Sequence, residues 1–354
     1  MEIAMETTQL LEQLPQAAFL VKDNIVVFAN QGARARGIQE NIIVGSLISI
    51  GSAEYELFNA GKLMITTAVS GICYNTIVST MGEYHLFCLE SEYANAELRA
   101  FALASQALRD PLSSTMLNIE NIIPEESVQN SPTLLAEIKA LNRNLYEMYR
   151  TVRNMSDAAI IASGCTKELR DVASLVAEWT EKAKTFLEQT GHRIELKTPN
   201  HPVHCQVNTE KLERAFLNLI SNSVKYAKEP DTISVSLKMS GGKLYLSVES
   251  ACSNPQAIIS DNLFSRFTRE PAVSDSLNGI GLGITIVHRI AAAHKGTLLV
   301  DQPKEDRIRF TLSISAQTTG ILTINSPMVR IDEAGGYDQF LIELSEVLPP
   351  DLYE

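Results

Sequence analysis

The sequence predicts a multidomain α+β protein, and three observations carry that prediction. The chain has 354 residues, which is enough for two or three domains of about 100–200 residues each. Residues 1–92 and 166–316 alternate short apolar runs with turns, whereas the intervening residues 93–165 have the periodicity of helices. Apolar types make up 45% of the chain and charged types 20%, which is typical of a globular protein rather than a disordered one.

The N-terminal region, residues 1–92, is predicted to form a small antiparallel sheet with short helices. Residues 19–21 and 25–28 are apolar, and Lys22-Asp23-Asn24 between them is a typical turn sequence. We therefore expect a strand, a turn and a strand here. Further strands are expected at residues 64–69, 74–78 and 84–89.

Residues 93–165 are predicted to form a helical hairpin. Apolar residues from 134 to 159 recur at alternating steps of four and three, which indicates a coiled-coil-like seam on a long helix. Pro124 and the polar residues 125–132 form the expected turn between two helices. Because two helices cannot bury a full seam alone, we expect a homodimer in which two hairpins build a four-helix bundle.

The C-terminal half returns to a mixed α/β pattern over residues 166–316, followed by an acidic extension, residues 317–354. The extension holds an apolar run at 321–324 and a short amphipathic helix near 338–347. The predicted helices of residues 166–316 span 167–190, 208–228 and 283–295. The predicted strands span 193–197, 232–239, 243–249 and 307–315.

One helix of this region carries an unusual polar face. Asn218, Asn222 and Lys225 are spaced i, i+4 and i+7, so they share one side of the helix. An amide oxygen is a ligand that suits Mg²⁺, and a lysine can reach a phosphate group. The alternative is a solvated polar face without a ligand.

A glycine-rich segment, Gly279-Ile280-Gly281-Leu282-Gly283-Ile284, precedes the last predicted helix. Glycines before a helix allow backbone N–H groups to approach phosphates, and the helix dipole favours an anion there. A plain turn is the alternative. The order along the chain is more specific than the motif, because the amide-bearing helix comes first, then Leu263-Phe264-Ser265-Arg266-Phe267, and then the glycines.

In this order, residues 217–226, 263–267 and 279–284 resemble the N, F and G2 boxes of sensor histidine kinases, within the gyrase, Hsp90 and histidine kinase ATPase superfamily. The resemblance implies an α/β-sandwich ATPase domain over residues 166–316 with ATP and Mg²⁺ as cofactors. It implies that Asn222 binds Mg²⁺, that Asn218 and Lys225 contact phosphates, and that residues 268–279 form a lid. The nucleotide-binding set that it implies is completed by Tyr226, Gly279, Gly281, Leu282 and Gly283.

The hairpin resembles the dimerisation and phosphoacceptor module of the same family. Its segment Gln106-Ala107-Leu108-Arg109-Asp110-Pro111-Leu112 matches the family motif of His, acid, Leu, Arg, any residue, Pro and Leu at four positions, but Gln106 replaces the histidine and Ala107 the acid. A glutamine amide nitrogen is not basic, so it cannot act as the nucleophile that an imidazole provides. We therefore expect no intact catalytic residue and no autophosphorylation; a carboxylate acceptor at Asp110 is the remaining alternative.

A second departure concerns the family's G1 box, Asp-x-Gly-x-Gly, which should follow the strand that ends near Val248. We place the adenine-reading aspartate at Ala251 and the glycines at Cys252 and Asn254; a shifted turn would bring Glu249 or Ser250 there instead. Losing a charge-assisted hydrogen bond costs about 1.5–3 kcal/mol. The sequence therefore predicts an intact phosphate end, an eroded adenine end and weak ATP binding.

Residues 1–92 resemble a PAS sensor domain, through residues 14–21, Asn30 and Val44-Gly45. The resemblance implies a PAS-like α/β sensor that binds a small ligand or pairs protomers. Neither a haem nor a flavin signature is visible.

Charge and cysteine content restrict the function further. The net charge of −12 argues against nucleic acid as a partner. Residues 166–316 nevertheless carry 19 basic and 17 acidic residues, or +2, whereas residues 317–354 carry one and seven, or −6. We interpret the acidity of the extension as serving solubility or partner contact. Five scattered cysteines predict reduced thiols, and the lack of a long apolar run or signal sequence predicts a cytoplasmic protein without a membrane span.

Three functions remain open. The chain is a histidine-kinase-like member of a two-component system that regulates a response regulator or a partner kinase without phosphorylating itself. Alternatively, it is an active ATP-dependent kinase that phosphorylates a partner chain in trans. The third possibility is a dimeric interaction protein that has lost its nucleotide.

Overall fold

A computed structural model gives the arrangement of residues 5–90, 103–105, 107–109, 111–119, 131–160, 166–260, 282–316 and 337–353. These residues form a mixed α+β protein, which confirms the predicted fold class. The domain boundaries given above, and the interpretation of residues 1–92 as a PAS domain, stay predictions.

The N-terminal region contains all the strands predicted for it. Asp23 and Asn24, which connect the first two strands, have φ angles of 50° and 64°, a conformation that Asn and Asp tolerate better than other residues. A short third strand pairs with the fourth and was not predicted. The elements are α1 (Met5–Glu12), β1 (Ala18–Lys22), β2 (Ile25–Ala29), α2 (Gln31–Ala35), β3 (Ile48–Ile50), α3 (Ser52–Glu56), β4 (Lys62–Val69), β5 (Ile72–Met81) and β6 (Tyr84–Leu89).

The predicted seam lies on one long helix, α4 (Pro132–Ile160). Residues 107–109 and 111–119 are helical as well, and Leu112 and Met116 pack against Leu145 and Tyr149 of α4. Neither α4 nor any other helix within the described ranges is both long enough and apolar enough to cross a membrane. The complete hairpin and its dimerisation stay predictions.

The C-terminal half is a sheet covered by helices on one face. Trp179 and Phe216 lie in the helical layer with ring centroids 6.0 Å apart, and they share one core with Val235 and Leu246 of the sheet. The elements are β7 (Glu168–Asp171), α5 (Val172–Leu187), β8 (Arg193–Lys197), β9 (His204–Val207), α6 (Thr209–Tyr226), β10 (Thr232–Ser240), β11 (Lys243–Ala251), α7 (Pro255–Ser260), α8 (Leu282–Ala293), β12 (Leu298–Lys304) and β13 (Arg307–Ser315).

The prediction of a helix over residues 167–190 is wrong at its start. Residues Glu168–Asp171 form β7, which pairs antiparallel with β9. The helix begins afterwards because the Asp171 side chain accepts a hydrogen bond from the backbone N–H of Ala173 at 3.2 Å and so caps it.

The two sheet regions are joined into one. Within the described residues, the strand order is β2-β1-β6-β5-β4-β12-β13-β11-β10-β8, and the junction is the antiparallel pairing of Met64 with Leu298 and Lys62 with Val300. A second link is the ion pair between Glu54 of α3 and Lys243 of β11, 2.6 Å apart. The N-terminal sheet is therefore an extension of the C-terminal one.

The end of the chain folds back between the helices. Residues 337–353, which we call the C-terminal segment, contain α9 (Gln339–Glu343), capped by the Asp338 side chain at 2.8 Å from the Phe340 backbone nitrogen. Phe340 stacks on Phe186 of α5, with ring centroids 5.8 Å apart. The predicted short helix is confirmed, although it ends at Glu343, and the apolar run at 321–324 lies outside the described residues.

Candidate functional site

The polar face predicted on α6 is partly buried in the protein interior. Asn218 is fully buried, and its Nδ2 donates to the Arg214 carbonyl oxygen and to Glu343 Oε2, both at 3.0 Å. Among the residues that the structure describes, Asn218 Oδ1 and Asn222 Nδ2 are buried and have no hydrogen-bond partner. A buried polar atom without a hydrogen bond costs free energy. These two amide atoms are therefore the ones on the face that are best suited to bind a ligand.

The glycine at position 283 allows the start of α8 to lie directly against this face. A Cβ at Gly283 would stand 2.8 Å from Asn218 Oδ1, which is closer than side chains tolerate. Leu282 is the first residue of α8. Gly279, Gly281 and the predicted lid lie outside the described residues, so their roles stay predictions.

Three arginines surround a single carboxylate beside Asn218. The Glu343 carboxylate lies 2.8 Å from Arg214 Nε, 3.6 Å from Arg150 Nε and 3.8 Å from Arg153 Nη1. The side chains of Glu343 and Arg214 are 0% exposed and those of Arg153 and Arg150 1% and 6%. Burial lowers the pKa of Arg214 to about 10, an effect that Glu343 opposes and the two other arginines reinforce. A cluster of this kind depends on Glu343, because removing one partner of a buried ion pair is strongly destabilising.

A second carboxylate of the C-terminal segment reaches the lysine of the polar face. Glu346 Oε2 lies 3.1 Å from Lys225 Nζ and 2.9 Å from Arg150 Nη1. Burial raises the pKa of the Glu346 carboxyl, but Arg150 and Lys225 outweigh that effect and hold the pKa below its usual value. The prediction that the acidity of the extension serves solubility or partner contact is therefore wrong for Glu343 and Glu346, which contact the residues expected to bind phosphates.

Ser250 is a better candidate than Ala251 for the adenine position, because the spacing Asp-x-Gly-x-Gly with glycine positions at Cys252 and Asn254 puts the aspartate at residue 250, and the burial pattern of β11 agrees. Along β11 the buried residues alternate, and Leu244, Leu246, Val248 and Ser250 share the side that packs against the helices. Ala251 therefore lies on the opposite side, where its N–H donates to Asp231 Oδ2 at 2.9 Å. Ser250 faces the helical layer instead, and its buried Oγ has no hydrogen-bond partner in the part of the chain that the structure describes.

The loop that follows β11 is tied to the C-terminus of α6. Ser253 donates its N–H to the Tyr226 carbonyl oxygen at 3.0 Å, and Cys252 donates to the Asp306 carbonyl oxygen at 2.9 Å. Asn254 Oδ1 accepts from the Ala257 N–H at 3.1 Å and so caps α7. Cys252 and Asn254, at the predicted glycine positions, thus have structural roles here.

The predicted phosphoacceptor position, Gln106, lies outside the described residues. Its neighbours Ala107 and Arg109 belong to a helical stretch, where Ala107 is exposed and Arg109 is partly buried. The prediction that this position cannot accept a phosphoryl group depends on the sequence alone.

Sequence reasoning missed the basic cluster and its two carboxylates: Arg150, Arg153, Arg214, Glu343 and Glu346. Arg214 precedes Asn218 by one helical turn, and this spacing was a usable signal. Arg150 and Arg153 flank the seam position Val152, but nothing local shows that arginines there are buried. Their burial depends on Glu343, at the far end of the sequence.

The residues present fit ATP and Mg²⁺ in part. Three buried polar atoms have no partner within the described ranges: Asn218 Oδ1, Asn222 Nδ2 and Ser250 Oγ. They are compatible with polar ligand contacts on α6 and on β11. Two groups that the resemblance assigns to phosphates, Asn218 Nδ2 and Lys225 Nζ, are bonded to Glu343 and Glu346.

Residues 207–318 match the family described as histidine kinase-, DNA gyrase B- and HSP90-like ATPases. The matched range includes α6, with its polar face, and α8, with Gly283. The chain thus contains an ATPase domain of this superfamily, a nucleotide-binding class of domain.

Curated relatives narrow the class to the histidine kinase branch. The sensor histidine kinase TmoS of Ectopseudomonas mendocina is 26% identical over 259 residues, which cover 71% of this chain and 26% of that protein. The sensor protein KdpD of Escherichia coli strain K12 is 25% identical over 268 residues, or 75% of this chain and 29% of that protein. Among solved structures, histidine kinase ThkA in complex with response regulator protein TrrA is 15% identical, with a TM-score of 0.41 over 87% of this chain and 98% of that one.

The ATPase domain is therefore similar to those of sensor histidine kinases. The chain spans only about a quarter of the length of TmoS and of KdpD.

Proposed function

We propose that this protein is a histidine-kinase-like signalling protein of a two-component system that binds ATP with Mg²⁺ and does not phosphorylate itself. The observation that supports it most is the polar face of α6 in the matched ATPase domain, where Asn218 Oδ1 and Asn222 Nδ2 are buried and bond to none of the described residues. The placement of the protein in the cytoplasm stays a prediction from the sequence.

Each residue of the face has a role in this proposal. Asn222 offers an amide oxygen to Mg²⁺, and Asn218 and Lys225 hold the phosphates in place. Gly283, because it lacks a side chain, lets the N-terminus of α8 approach Asn218, with Gly279, Gly281 and Leu282 before it. Tyr226 anchors the loop after β11 through its carbonyl oxygen. ATP would supply a phosphoryl group, but Gln106 offers no nucleophile to receive it.

The output of such a protein is its effect on other proteins. We propose that residues 93–165 pair two protomers and that the dimer acts on a response regulator or a partner kinase. The alternative activity, phosphorylation of a partner chain in trans, uses the same nucleotide site. It predicts that the partner becomes labelled when it is mixed with this protein and labelled ATP.

The first test is phosphorylation with labelled ATP and Mg²⁺. We expect no acid-labile phosphate on the purified chain, because Gln106 replaces the acceptor. Label on residues 93–165 would contradict the proposal. The double substitution Gln106→His with Ala107→Glu is the informative companion, since it restores both the imidazole and its acid and should introduce label if the ATPase domain is competent.

The second test is calorimetric titration with ATP in the presence and absence of Mg²⁺. Asn222→Ala should abolish the effect of Mg²⁺ on the affinity, whereas Asn200→Ala, an exposed asparagine after β8, should leave it unchanged. Binding of ATP to Asn222→Ala with its Mg²⁺ dependence intact would refute the assigned role. No heat at millimolar ATP in any variant would favour the nucleotide-free interaction protein.

A further inference from the structure

The C-terminal segment places two carboxylates on the two groups expected to hold phosphates. Glu343 Oε2 accepts from Asn218 Nδ2 at 3.0 Å, and Glu346 Oε2 lies 3.1 Å from Lys225 Nζ. Arginines from α4 and α6 complete the surroundings of both carboxylates. Two anions among one amide and four cations resemble, in charge, what a polyphosphate would require.

Nucleotide phosphates and these carboxylates cannot use the same donors at once. Asn218 Nδ2 also donates to the Arg214 carbonyl oxygen at 3.0 Å, so both of its hydrogens are engaged. Phosphates added beside Glu343 and Glu346 would also bring like charges together in a largely buried site, where repulsion is screened little. Binding of phosphates in the expected place therefore requires the two carboxylates to leave.

The segment is held by more than its charges. Phe340, Ile342, Leu344 and Leu348 are all buried, and Ile342 packs on Leu145, Tyr149 and Val152 of α4. Arg143 Nε donates to the Ser345 carbonyl oxygen at 3.1 Å, which fixes the chain between the two glutamates. The segment touches α4, α5 and α6 together, so its position depends on how these helices are arranged.

We propose that the C-terminal segment is an intramolecular competitor of the nucleotide, with Glu343 and Glu346 occupying the phosphate end of the site. This inference depends on the proposed function, because it names the group that ATP must displace. A rearrangement of α4 against α6 would then expose or close the site, since α4 supplies Arg150, Arg143 and the apolar contacts of the segment. The contrasting possibility is that the segment only stabilises the packing of the helices and does not compete with the nucleotide.

The test measures ATP affinity in variants of the 354-residue chain. Glu346→Gln removes the charge beside Lys225 at a partly exposed position while keeping the size of the side chain. We expect it to bind ATP with Mg²⁺ about tenfold more tightly than the wild type, since a nearby like charge is removed and a cation is released. Inorganic tripolyphosphate should show the same gain, because the effect concerns the phosphates and not the base.

Asp351→Asn is the matched control. It removes one negative charge from an exposed position of the same segment, and its affinity should lie within about twofold of the wild type. Glu343→Gln is the second variant, and we expect a similar gain in its affinity for ATP. Circular dichroism checks that this variant folds. If Glu343→Gln does not fold, the result for Glu346→Gln decides the question. An affinity of Glu346→Gln equal to that of the wild type would overturn the competition.

Hydrogen exchange separates this inference from the proposed function. Saturating ATP with Mg²⁺ should accelerate amide exchange in residues 339–348 of the wild type, whose N–H groups bond within the segment, as Leu344 does to Phe340 at 2.9 Å. If ATP binds and the exchange of these amides does not change, the competition is wrong and the proposed function stands. If neither the wild type nor any variant binds ATP or tripolyphosphate, both are wrong.

Discussion

The two ends of the proposed nucleotide site differ in how their polar groups are held. At the phosphate end, Asn218 and Lys225 are bonded to carboxylates from the C-terminal segment, and Arg214 has no exposed surface. At the adenine end, Ser250 Oγ bonds to none of the described residues, and the ion pairs of Arg307 lie on the other face of the sheet and are partly exposed.

The difference shows that the two ends depart from the family's nucleotide-binding motifs in different ways. The proposed adenine end lacks the aspartate and the two glycines of the family motif, and its loop is held by backbone hydrogen bonds such as that of Ser253 to Tyr226. The phosphate end keeps its residues, but they are now also part of the protein's interior. Retained motif residues therefore do not by themselves show retained ligand binding, because Asn218 and Lys225 also stabilise the fold.

The largest expected effect concerns the buried arginine of the phosphate end. Arg214→Met should lower the free energy of unfolding by about 3 kcal/mol or more, since Glu343 loses its closest cation in a site without water access. Chemical denaturation followed by circular dichroism measures the change.

Arg307→Met is the counterpart at the adenine end. Arg307 pairs with Asp231 at 3.2 Å and Glu249 at 3.0 Å, but its side chain is 20% exposed. Its loss should cost about 1 kcal/mol or less. If the two substitutions lowered the free energy of unfolding equally, the ion pairs would stabilise both ends to the same degree. The contrast between the two ends would then be wrong.

The next effect concerns the close approach of α8 to Asn218. Gly283→Ala forces the new methyl group against Asn218 Oδ1, and the amide cannot turn away without giving up its bonds to Arg214 and Glu343. We expect a loss of about 1–3 kcal/mol, measured as a lowered melting temperature. Gly45→Ala is the control, because no heavy atom lies within 4 Å of a Cβ there; a melting temperature lowered as much as by Gly283→Ala would contradict the steric explanation.

The smallest effect tests the corrected adenine position. Ser250→Asp puts a carboxylate on the helix-facing side of β11 and should raise the affinity for ATP about tenfold, as a charge-assisted hydrogen bond to the adenine amino group would. The affinity for tripolyphosphate should not rise. Ala251→Asp, one residue further and on the opposite side of the sheet, should not raise the affinity for ATP measured by calorimetry. A higher affinity for Ala251→Asp, and not for Ser250→Asp, would support the alignment that places the aspartate at Ala251.

Much of the fold followed from local patterns. Strands β8 and β13 have the bounds that were predicted, since their apolar residues alternate with polar ones. Strand β12 was missed because Gln302, Pro303 and Lys304 end its apolar run early, while the strands on both sides supply its hydrogen bonds.

The site was predictable only where its residues share one element. Asn218, Asn222 and Lys225 are neighbours on α6, so their spacing was sufficient. Arg150 lies on α4 and Glu343 near the end of the chain, and no local pattern links two residues whose contact depends on the packing of three helices. The register at Ser250 was accessible in principle, because alternation along β11 alone assigns its side of the sheet.

The pairing of β4 with β12 has a consequence for any attempt to study the ATPase domain alone. Leu298, Leu299 and Val300 bond to strand β4 of the N-terminal region, so a fragment that begins after residue 90 exposes an unpaired apolar strand. Such an edge recruits other strands and promotes aggregation. The same pairing joins residues near opposite ends of the chain, a feature that slows folding. The N-terminal region thus serves as the protective edge of the domain that it precedes.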